Sequence, residues 1–349
     1  MTDVIDTFAD TIRRAAADGK TLRIRGGGSK DFYGVALEGD VLDTSGYAGV
    51  VDYEPSELVM TVRSGTPLTE VETKLAECGQ MLAFEPPHFG ASSTIGGAVA
   101  SGFSGPRRAA AGSARDFVLG ARVLDATGRD LSFGGQVMKN VAGYDLSRFI
   151  AGSFGTLALI TELSLKVLPR PVAETTLRFE MNEAQAIEAM NRWAGQPLPL
   201  SATCFVDGKL WVRLSGAKAA VDAAVKKLGG EQPADAIAFW TSLRDQTHPF
   251  FADAATLWRL SIRSTAQPLQ LGSQLIEWNG ALRWVAAADA ESAHGAAQSA
   301  GGHATLYRGG AKAAGIQRLA PPVLALHQRL KRALDPQGVF GRHRIHPEF

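Results

Sequence analysis

The sequence predicts an α+β fold in two successive parts. In the first part, helical and strand-like segments surround a high density of glycine. Thirteen of the 38 glycines fall between Gly90 and Gly155, where even spacing would place about seven. In the second part, strand-like segments alternate with alanine-rich helical segments. The stretch Pro169-Arg170-Pro171 separates the two parts, and a proline-rich break of this kind is typical of a domain boundary.

The N-terminal segment predicts a helix followed by a strand. Gly19 ends a helical pattern whose apolar face consists of Val4, Ile5, Phe8, Ile12 and Ala15. Residues 21–25 have the composition of a short strand, which runs directly into Gly26-Gly27-Gly28.

The rest of the first part predicts a small α/β unit and a hairpin. Strands are predicted for residues 58–63 and 81–84, with a helix between them. Thr66 is predicted to cap this helix and Pro67 to be its first residue, and its buried stripe comprises Leu68, Val71, Leu75 and Cys78. Residues 117–124 and 129–133 predict a β-hairpin, and residues 157–168 predict a long strand.

The second part predicts a sheet with helices on one face. The predicted strands are residues 176–180, 202–206, 210–214, 258–262 and 281–285. The predicted helices are residues 183–194, 217–228 and 290–300, and a later one covers residues 322–334, with a loop at 311–315 before it. Four tryptophans at positions assigned to strands are expected in the core: Trp211, Trp240, Trp258 and Trp284.

Composition excludes several classes of function. Lys+Arg is 36 against Asp+Glu 35, so we expect no nucleic-acid partner. The two cysteines, Cys78 and Cys204, are expected to be buried and cannot hold an iron–sulfur cluster, and we predict no metal site. The first ten residues carry three aspartates and no basic residue, unlike a secretory signal, and no apolar run is long enough to span a membrane. We therefore expect a cytoplasmic protein, with peripheral attachment to the inner membrane through partners as an alternative.

Two glycine-rich segments carry the chemistry. The first is residues 25–30 (RGGGSK), and the second is residues 86–102 (PPHFGASSTIGGAVASG). Glycine lets the backbone approach a ligand closely, so that successive N–H groups can converge on an anion. Neither segment is a Walker A loop or a Rossmann turn, and the alternative for either one alone is a tight turn. The two together predict a site for an anion.

At these residues the chain resembles the PCMH-type, vanillyl-alcohol-oxidase-like FAD-binding proteins. More narrowly, it resembles the FAD-binding subunits of bacterial glycolate oxidases. The narrower resemblance depends on residues 135–146 (GQVMKNVAGYDL) and 152–161 (GSFGTLALIT), with support from residues 257–260, 280–284 and 301–308. It implies a two-subdomain FAD-binding domain over residues 1–170 and an α/β cap domain with an antiparallel sheet over residues 171–315. Residues 316–349 would form a C-terminal helix and tail that pack back on the FAD domain.

The resemblance also implies the cofactor-binding residues. The first pyrophosphate loop would be Gly26, Gly27, Gly28, Ser29 and Lys30. The second loop, along the pyrophosphate and ribityl chain, would use Pro87, Thr94, Ile95, Gly96, Gly97, Ser101 and Gly102. Residues beneath the flavin and along the strand at its adenine or flavin end would be Gly112, Arg115, Asp116, Val118, Gly155 and Ile160.

Three departures from the family pattern matter. Some relatives carry a histidine in the first loop that bonds covalently to the flavin, whereas this chain has Ser29, so FAD is expected to be non-covalent. Ala111 stands where close relatives have an aromatic residue. The family's C-terminal Asn-Pro-Gly-Arg appears as residues 340–344 (FGRHR), in which Arg342 is expected to keep the role of the arginine.

The function implied is the FAD-binding subunit of a complex that oxidises a small 2-hydroxy acid, glycolate to glyoxylate. Oxidation of this kind needs a base and a cation for the carboxylate, and the sequence shows no cluster of histidines with a glutamate to supply them. We therefore expect two partners, a second FAD-containing catalytic subunit and an iron–sulfur subunit. The alternatives are a self-sufficient FAD-dependent dehydrogenase for lactate or another 2-hydroxy acid, and a non-catalytic assembly subunit.

Several other polar residues are expected to have structural roles. His343 and His346 are predicted to lie in a solvated tail, and Arg107-Arg108 in a solvated loop. For His303, a surface or interface position is favoured over a catalytic one. Lys139 and Arg148 could face the flavin or be half-exposed structural charges, and Asp145 is expected to cap the helix that follows it.

Overall fold

The computed structural model describes residues 3–35, 37–135 and 145–349. The chain divides into two compact units. The first unit comprises Met1–Phe103, Ser113–Pro169 and Leu319–Phe349. The second unit comprises Ser104–Gly112 and Arg170–Arg318.

The helices are mostly amphipathic and are numbered here along the chain. They are α1 (Val4–Ala17), α2 (Leu68–Glu77), α3 (Ile95–Ser101), α4 (Arg108–Ala111), α5 (Leu146–Phe149), α6 (Glu183–Ala194), α7 (Lys218–Leu228), α8 (Ala236–Arg244), α9 (Pro249–Ala252), α10 (Ala290–Ser299) and α11 (Pro321–Leu334). Single 3₁₀ turns cover Pro55–Glu57, Ala114–Phe117, Trp278–Gly280 and Lys312–Gly315. None of the helices in the described ranges combines the length and apolar character that a bilayer crossing requires.

The strands are short and are numbered in the same way. They are β1 (Leu22–Arg25), β2 (Asp40–Asp43), β3 (Val50–Glu54), β4 (Val59–Arg63), β5 (Gln80–Met81), β6 (Val118–Leu124), β7 (Asp130–Gly134), β8 (Leu159–Lys166), β9 (Leu168–Pro169), β10 (Ala173–Glu180), β11 (Leu200–Val206), β12 (Lys209–Gly216), β13 (Leu257–Ser261), β14 (Gln274–Glu277), β15 (Leu282–Ala286) and β16 (His303–Arg308).

In the first unit, a five-stranded antiparallel sheet has the order β3-β4-β8-β6-β7. Beside it, β1 pairs in parallel with β2, and Leu22 of β1 also forms a parallel bridge with Phe340 of the C-terminal tail. One core cluster joins α1 to these strands through Ile12, Leu159 and Phe340, each fully buried. Helix α1, strand β1 and the tail are therefore packed together directly behind the first glycine-rich segment.

In the second unit, a seven-stranded sheet has the order β10-β12-β11-β14-β15-β13-β16, and its pairs are antiparallel. Alternate residues of each strand point to opposite faces. One face packs under α6, α7 and α10 through fully buried apolar residues such as Leu177, Leu210 and Leu260. The predicted antiparallel sheet is confirmed, but the expectation of helices on one face is wrong. Helix α8 packs on the opposite face, where Phe239 stacks on Trp211 of β12 and Trp240 donates to Thr176 of β10.

Most predicted elements are present, with boundaries that differ by a few residues. The N-terminal helix, the hairpin of β6 and β7, and the helices α6, α7, α10 and α11 are confirmed. Strands β2, β3, β14 and β16 and helix α8 were not anticipated from the sequence. Residues 136–144, which include Lys139 and most of the segment at 135–146, lie outside the described residues.

Some local predictions were wrong for identifiable reasons. Thr66 does not cap α2, because its hydroxyl donates to the Arg63 carbonyl oxygen at 2.7 Å and Pro67 occupies the N-cap. Residues 82–84 are buried but leave the sheet after the two-residue strand β5. Residues 312–315 form a 3₁₀ turn instead of a loop.

Burial was also predicted wrongly at a few positions. Val4 is 44% exposed, because the buried stripe of α1 passes through Ile5 and Phe8 instead. Cys78 is exposed because α2 ends at Glu77, whereas Cys204 is buried. Trp240 is buried with the other three tryptophans, but it lies on α8 and not on a strand.

The C-terminal tail is held to the first unit by a buried ion pair. Lys331 Nζ lies 2.7 Å from Asp335 Oδ2 and also donates to the carbonyl oxygens of Thr156 and Phe340. Asp335 in turn accepts the backbone N–H groups of Val339 and Phe340, at 2.8 Å each. Burial is the largest influence on Lys331, and it lowers the pKa of this ammonium group. The pair therefore fixes the point where α11 turns into the tail.

We expect Asp335→Ala to destabilise the first unit by about 3–5 kcal/mol, because it leaves the Lys331 ammonium buried without its partner. The matched control is Asp222→Ala, which breaks the exposed i,i+4 pair with Lys218 and should change stability by less than about 1 kcal/mol. All six tryptophans belong to the second unit. In urea unfolding followed by far-ultraviolet circular dichroism, Asp335→Ala should thus lower the free energy of unfolding of the first unit. The unfolding transition followed by tryptophan fluorescence should change little. Equal effects of the two substitutions would contradict the prediction.

Candidate functional site

The two glycine-rich segments lie against each other in the first unit. A side chain on Gly27 would overlap the backbone carbonyl of Ser92, so this contact is open only to glycine. Two hydrogen bonds from hydroxyl groups join the segments. Ser92 Oγ donates to the Gly27 carbonyl oxygen, and Ser93 Oγ donates to Ser29 Oγ, both at 2.9 Å. Residues that are 64 or 65 positions apart in the sequence are thereby joined into one structure.

A cleft with about 550 Å³ of empty space, partly open to solvent, lies where the segments meet. It is lined by eight of the predicted residues, namely Gly26, Gly27, Gly28, Ser29, Lys30, Thr94, Gly97 and Ser101. It is also lined by residues that were not among the predicted cofactor-binding residues, which include Arg23, Arg25, Phe154 and Arg344. Both glycine-rich segments therefore contribute to a single cleft, as a shared ligand would require.

The first segment offers its backbone to an anion. Within the described residues, the N–H groups of Gly26, Gly27, Gly28 and Ser29 donate no hydrogen bond. Backbone donors that are left without acceptors in a concave site are suited to a phosphate oxygen. The Nε atom of Arg23, at the same cleft, is likewise buried without a partner among the described residues.

The second segment makes a different contribution. The N–H groups at the start of α3 are already bonded within the protein: that of Gly96 to the Ser64 carbonyl oxygen at 2.9 Å and that of Gly97 to Thr94 Oγ1 at 3.2 Å. The expectation that both segments present free N–H groups is therefore wrong for the first turn of α3. The helix instead provides open space at Gly97, where the backbone is not covered by a side chain. A Cβ built on Gly97 would meet only Thr94 Oγ1, at 3.2 Å.

Positive charge gathers at the cleft, although the chain as a whole carries only +1. Arg23, Arg25, Lys30 and Arg344 line it, against the lining carboxylate of Asp31, which pairs with Arg25 at 2.9 Å. Lys30 is 8% exposed, and its ammonium has Ser29 Oγ at 3.3 Å and the Phe89 ring at 5.5 Å as neighbours. Burial lowers the pKa of Lys30 to about 8. The electrostatics of the cleft favour a multiply charged anion.

Arg344 connects the C-terminal tail to the first loop. Its guanidinium donates to the carbonyl oxygens of Lys30, at 3.1 Å, and Tyr33, and it lies over the Phe154 ring. Burial lowers the pKa of Arg344, with the carboxylate of Asp31 opposing this effect. Arg342, the predicted arginine, is exposed and donates to carbonyl oxygens of its own turn. The sequence analysis predicted Arg342, whereas Arg344 lines the cleft, and a cofactor contact of Arg342 stays a prediction.

The remaining predicted residues are not in the lining of the cleft. Gly102 and Gly155 have positive φ and approach Gly152 and Ile24 closely, and Ile95, Val118 and Ile160 are in the core. Arg115 donates to the Ala151 carbonyl oxygen, and Asp116 forms a capping box with Ser113. Pro87 is buried. Gly112, which ends α4, belongs to the second unit. Their cofactor contacts stay predictions.

Other candidate residues have structural partners. Asp145 caps α5 by accepting the Arg148 N–H at 3.1 Å, as predicted. His346 is 9% exposed and stacked on Phe349, so the expectation of a solvated tail is wrong at this residue. Arg107 is also buried, because it pairs with Glu174 at 2.7 Å.

Comparison with known proteins agrees with the prediction that the first unit binds FAD. Residues 3–134 match a family described as FAD binding domain. Over 348 residues, the chain is 47% identical to the glycolate oxidase subunit GlcE of Escherichia coli, covering 99% of this chain and 98% of that protein. It is 35% identical over 128 residues to the glycolate oxidase subunit GlcD of Bacillus subtilis, which is 37% of this chain and 27% of that protein.

The solved structures support the fold. An alkyldihydroxyacetonephosphate synthase matches with a TM-score of 0.66 and 16% sequence identity, over 96% of this chain and 74% of that one. At this identity the likeness concerns the fold alone. It agrees with the prediction of an α+β protein of the PCMH type.

We expect Gly97→Val to abolish FAD binding while leaving the fold intact. The new side chain would meet little protein and would stand in the cleft. The matched control is Gly96→Ala, whose Cβ would lie 2.7 Å from the Ser64 carbonyl oxygen and should therefore destabilise the fold itself. Flavin absorbance after gel filtration and thermal unfolding separate the two outcomes. A folded Gly97→Val protein with normal flavin content would refute this assignment.

We also expect Lys30 to make FAD binding dependent on pH. With a pKa of about 8 in the cofactor-free protein, the ammonium is mostly charged at pH 7 and mostly neutral at pH 9. An anion in the cleft would favour the charged form of Lys30. Because the charged fraction of this lysine falls about tenfold between pH 7 and pH 9, the affinity for FAD should fall by about the same factor. Lys30→Met should bind FAD more weakly at pH 7 and lose this pH dependence, as measured by flavin fluorescence titration. An unchanged pH dependence in Lys30→Met would exclude the role.

Proposed function

The chain belongs to the family of the glycolate oxidase subunit GlcE, and on this premise we propose that it is the FAD-binding subunit of a glycolate oxidase complex. The observation that carries the proposal is similarity over the whole length of both chains, since 98% of the relative is covered. The reaction is the oxidation of the CH–OH group of a small 2-hydroxy acid, glycolate to glyoxylate. The cleft between the glycine-rich segments supports the same proposal, because it would provide the cofactor site that such a subunit needs.

The residues of the cleft fit FAD in charge and in shape. The backbone N–H groups of residues 26–29 and the ammonium of Lys30 would hold the pyrophosphate, and the bare surface at Gly97 would allow the cofactor to approach α3. Ser29 stands where some relatives carry a linking histidine, so the cofactor would be held without a covalent bond. When bound, FAD supplies the two-electron acceptor for the alcohol.

Within this proposal, the electrons leave the chain through partner subunits. The two thiols differ in environment, Cys78 exposed and Cys204 buried, and two cysteines cannot ligate an iron–sulfur cluster that needs four. An iron–sulfur subunit would take up the electrons. A second FAD-containing subunit would provide the catalytic groups that this sequence does not present as a cluster. The similarity over 128 residues to GlcD of Bacillus subtilis, a glycolate oxidase subunit of another kind, supports such a second subunit.

Two measurements test the proposal. Acid precipitation of the purified chain should release all of its flavin into the supernatant, whereas flavin that stays with the pellet would indicate a covalent bond. Next, the FAD-loaded chain should be mixed anaerobically with glycolate, D-lactate and L-lactate, alone and after co-purification with its partners.

We expect rapid flavin bleaching and dye reduction by glycolate only in the co-purified complex. Rapid bleaching of the isolated chain would favour the self-sufficient dehydrogenase instead. The complex can also be assembled with Gly97→Val, which should lack this chain's FAD. Full activity of that complex would favour the non-catalytic assembly subunit, and a large loss would support electron transfer through this flavin.

A further inference from the structure

Helix α11 differs from α1, a helix of the same length, in what it buries. The buried residues of α1 form an apolar stripe that includes Ile5 and Ile12. In α11, all of whose residues are described, the buried residue is Lys331. Two large apolar side chains of α11 are exposed instead, Val323 by 43% and Leu326 by 60%. The apolar side of this helix is therefore not part of the core.

The side of α11 that faces its own chain is polar. The His327 ring stacks with the Phe349 ring, with 5.4 Å between their centroids. Gln328 Nε2 lies 3.1 Å from a carboxylate oxygen of Glu348. Lys331, one turn after His327 and on the same side of the helix, binds the carbonyl oxygens of Thr156 and Phe340. The C-terminal tail therefore occupies the polar side of α11.

The apolar residues of α11 lie on a different side. Val323, Leu326, Leu330 and Ala333 are spaced by three, four and three positions, which places them along one stripe of a helix. At 3.6 residues per turn, the middle of this stripe lies roughly a third of the way around the helix from Lys331. The stripe thus points away from the tail, and three of its four residues are exposed, with Leu330 half-buried.

Positive charge borders the stripe on the side away from the tail. Arg329 and Arg332 are both exposed, and α11 contains no acidic residue. Within the part of the chain that the structure describes, neither arginine forms an ion pair. The complementary surface would be an apolar groove with carboxylates along one rim.

We propose that α11 inserts this stripe into such a groove on a partner subunit of the oxidase complex. Apolar anchors at positions i, i+3 and i+7 are the pattern of a helix that binds in a groove. The identity of the partner rests on the proposed function, which requires other subunits. A membrane surface fits the stripe less well, because helices that lie on membranes carry a broad apolar face rich in Trp, Phe and Leu.

The test is the affinity of the full, FAD-loaded chain for the purified FAD-containing and iron–sulfur subunits, measured by biolayer interferometry. We expect Leu326→Glu to weaken binding to one of these subunits about tenfold to a hundredfold, because it places a carboxylate in the apolar groove. The matched control is Ile237→Glu on α8, which changes an apolar side chain that is 84% exposed and should leave the affinity unchanged. Val323→Glu provides a second variant in the stripe if Leu326→Glu does not fold.

The charges beside the stripe are tested separately. Arg329→Glu should also weaken binding, and its effect should be largest at low salt, where opposite charges on the two surfaces are least screened. Arg192→Glu makes the same change of charge on α6 in the second unit and should have no effect. Equal losses for the two arginine variants would contradict the predicted position of the acidic rim.

Flavin content, circular dichroism and glycolate oxidation by the assembled complex are measured on the same samples. A folded Leu326→Glu or Val323→Glu chain that binds both subunits with normal affinity would overturn the inference, and normal glycolate oxidation would leave the proposed function intact. A loss of equal size in Ile237→Glu would also overturn it.

Two other occupants of the stripe are examined with the isolated chain. Sedimentation with phosphatidylglycerol vesicles would detect a membrane surface, and sedimentation velocity would detect a second copy. Binding of either kind that Leu326→Glu abolishes, while subunit affinity is unchanged, would overturn the inference. A wild-type chain that binds neither subunit would refute the proposed function, together with the inference that rests on it.

Discussion

The first unit depends on the contact between the backbone of Gly27 and the backbone of Ser92. No residue with a Cβ can make it, because the side chain would overlap the Ser92 carbonyl. The contact sets the separation of the two glycine-rich segments, and the hydroxyl bonds from Ser92 and Ser93 then fix their register. The cleft follows from this spacing, since the first loop is left with unused N–H groups and α3 presents Gly97 to it.

The C-terminal tail stabilises the same loop from behind. Phe340 extends the pairing of β1, the strand that delivers the chain into Gly26, and Arg344 binds the carbonyl oxygens at the end of the loop. The ion pair of Lys331 and Asp335 holds the start of that tail. The loop is thus supported by the last residues of the chain, more than 300 positions away in the sequence. A glycine-rich loop has little conformational preference of its own, so rigid support of this kind is required for it to bind an anion.

The sequence predicted what local chemistry determines. The repeated apolar faces indicated α1, α6 and α10, and the glycines indicated the position of the cleft. It could not predict features that depend on distant contacts. The burial of Arg107 requires Glu174, and the placement of Arg344 instead of Arg342 in the cleft requires the turn at Gly341. The N–H group of Gly96 likewise binds the carbonyl oxygen of Ser64, the residue after β4, and no pattern in the second segment indicates this contact.

The features that suit the cleft to an anion also make the cofactor-free first unit less stable. The N–H groups of residues 26–29 and the Nε atom of Arg23 have no acceptor among the described residues, and burial of Lys30 disfavours its charged form. Burial leaves the Nε atom of Arg23 without a protein partner among the described residues, and it removes water from the Lys30 ammonium, whose hydrogen-bond partner is the neutral Ser29 hydroxyl at 3.3 Å. An anion bound in the cleft would supply acceptors for these groups, and a ligand that binds the folded chain alone would stabilise the first unit by mass action. A cofactor bound in this cleft would therefore also stabilise the fold of the first unit.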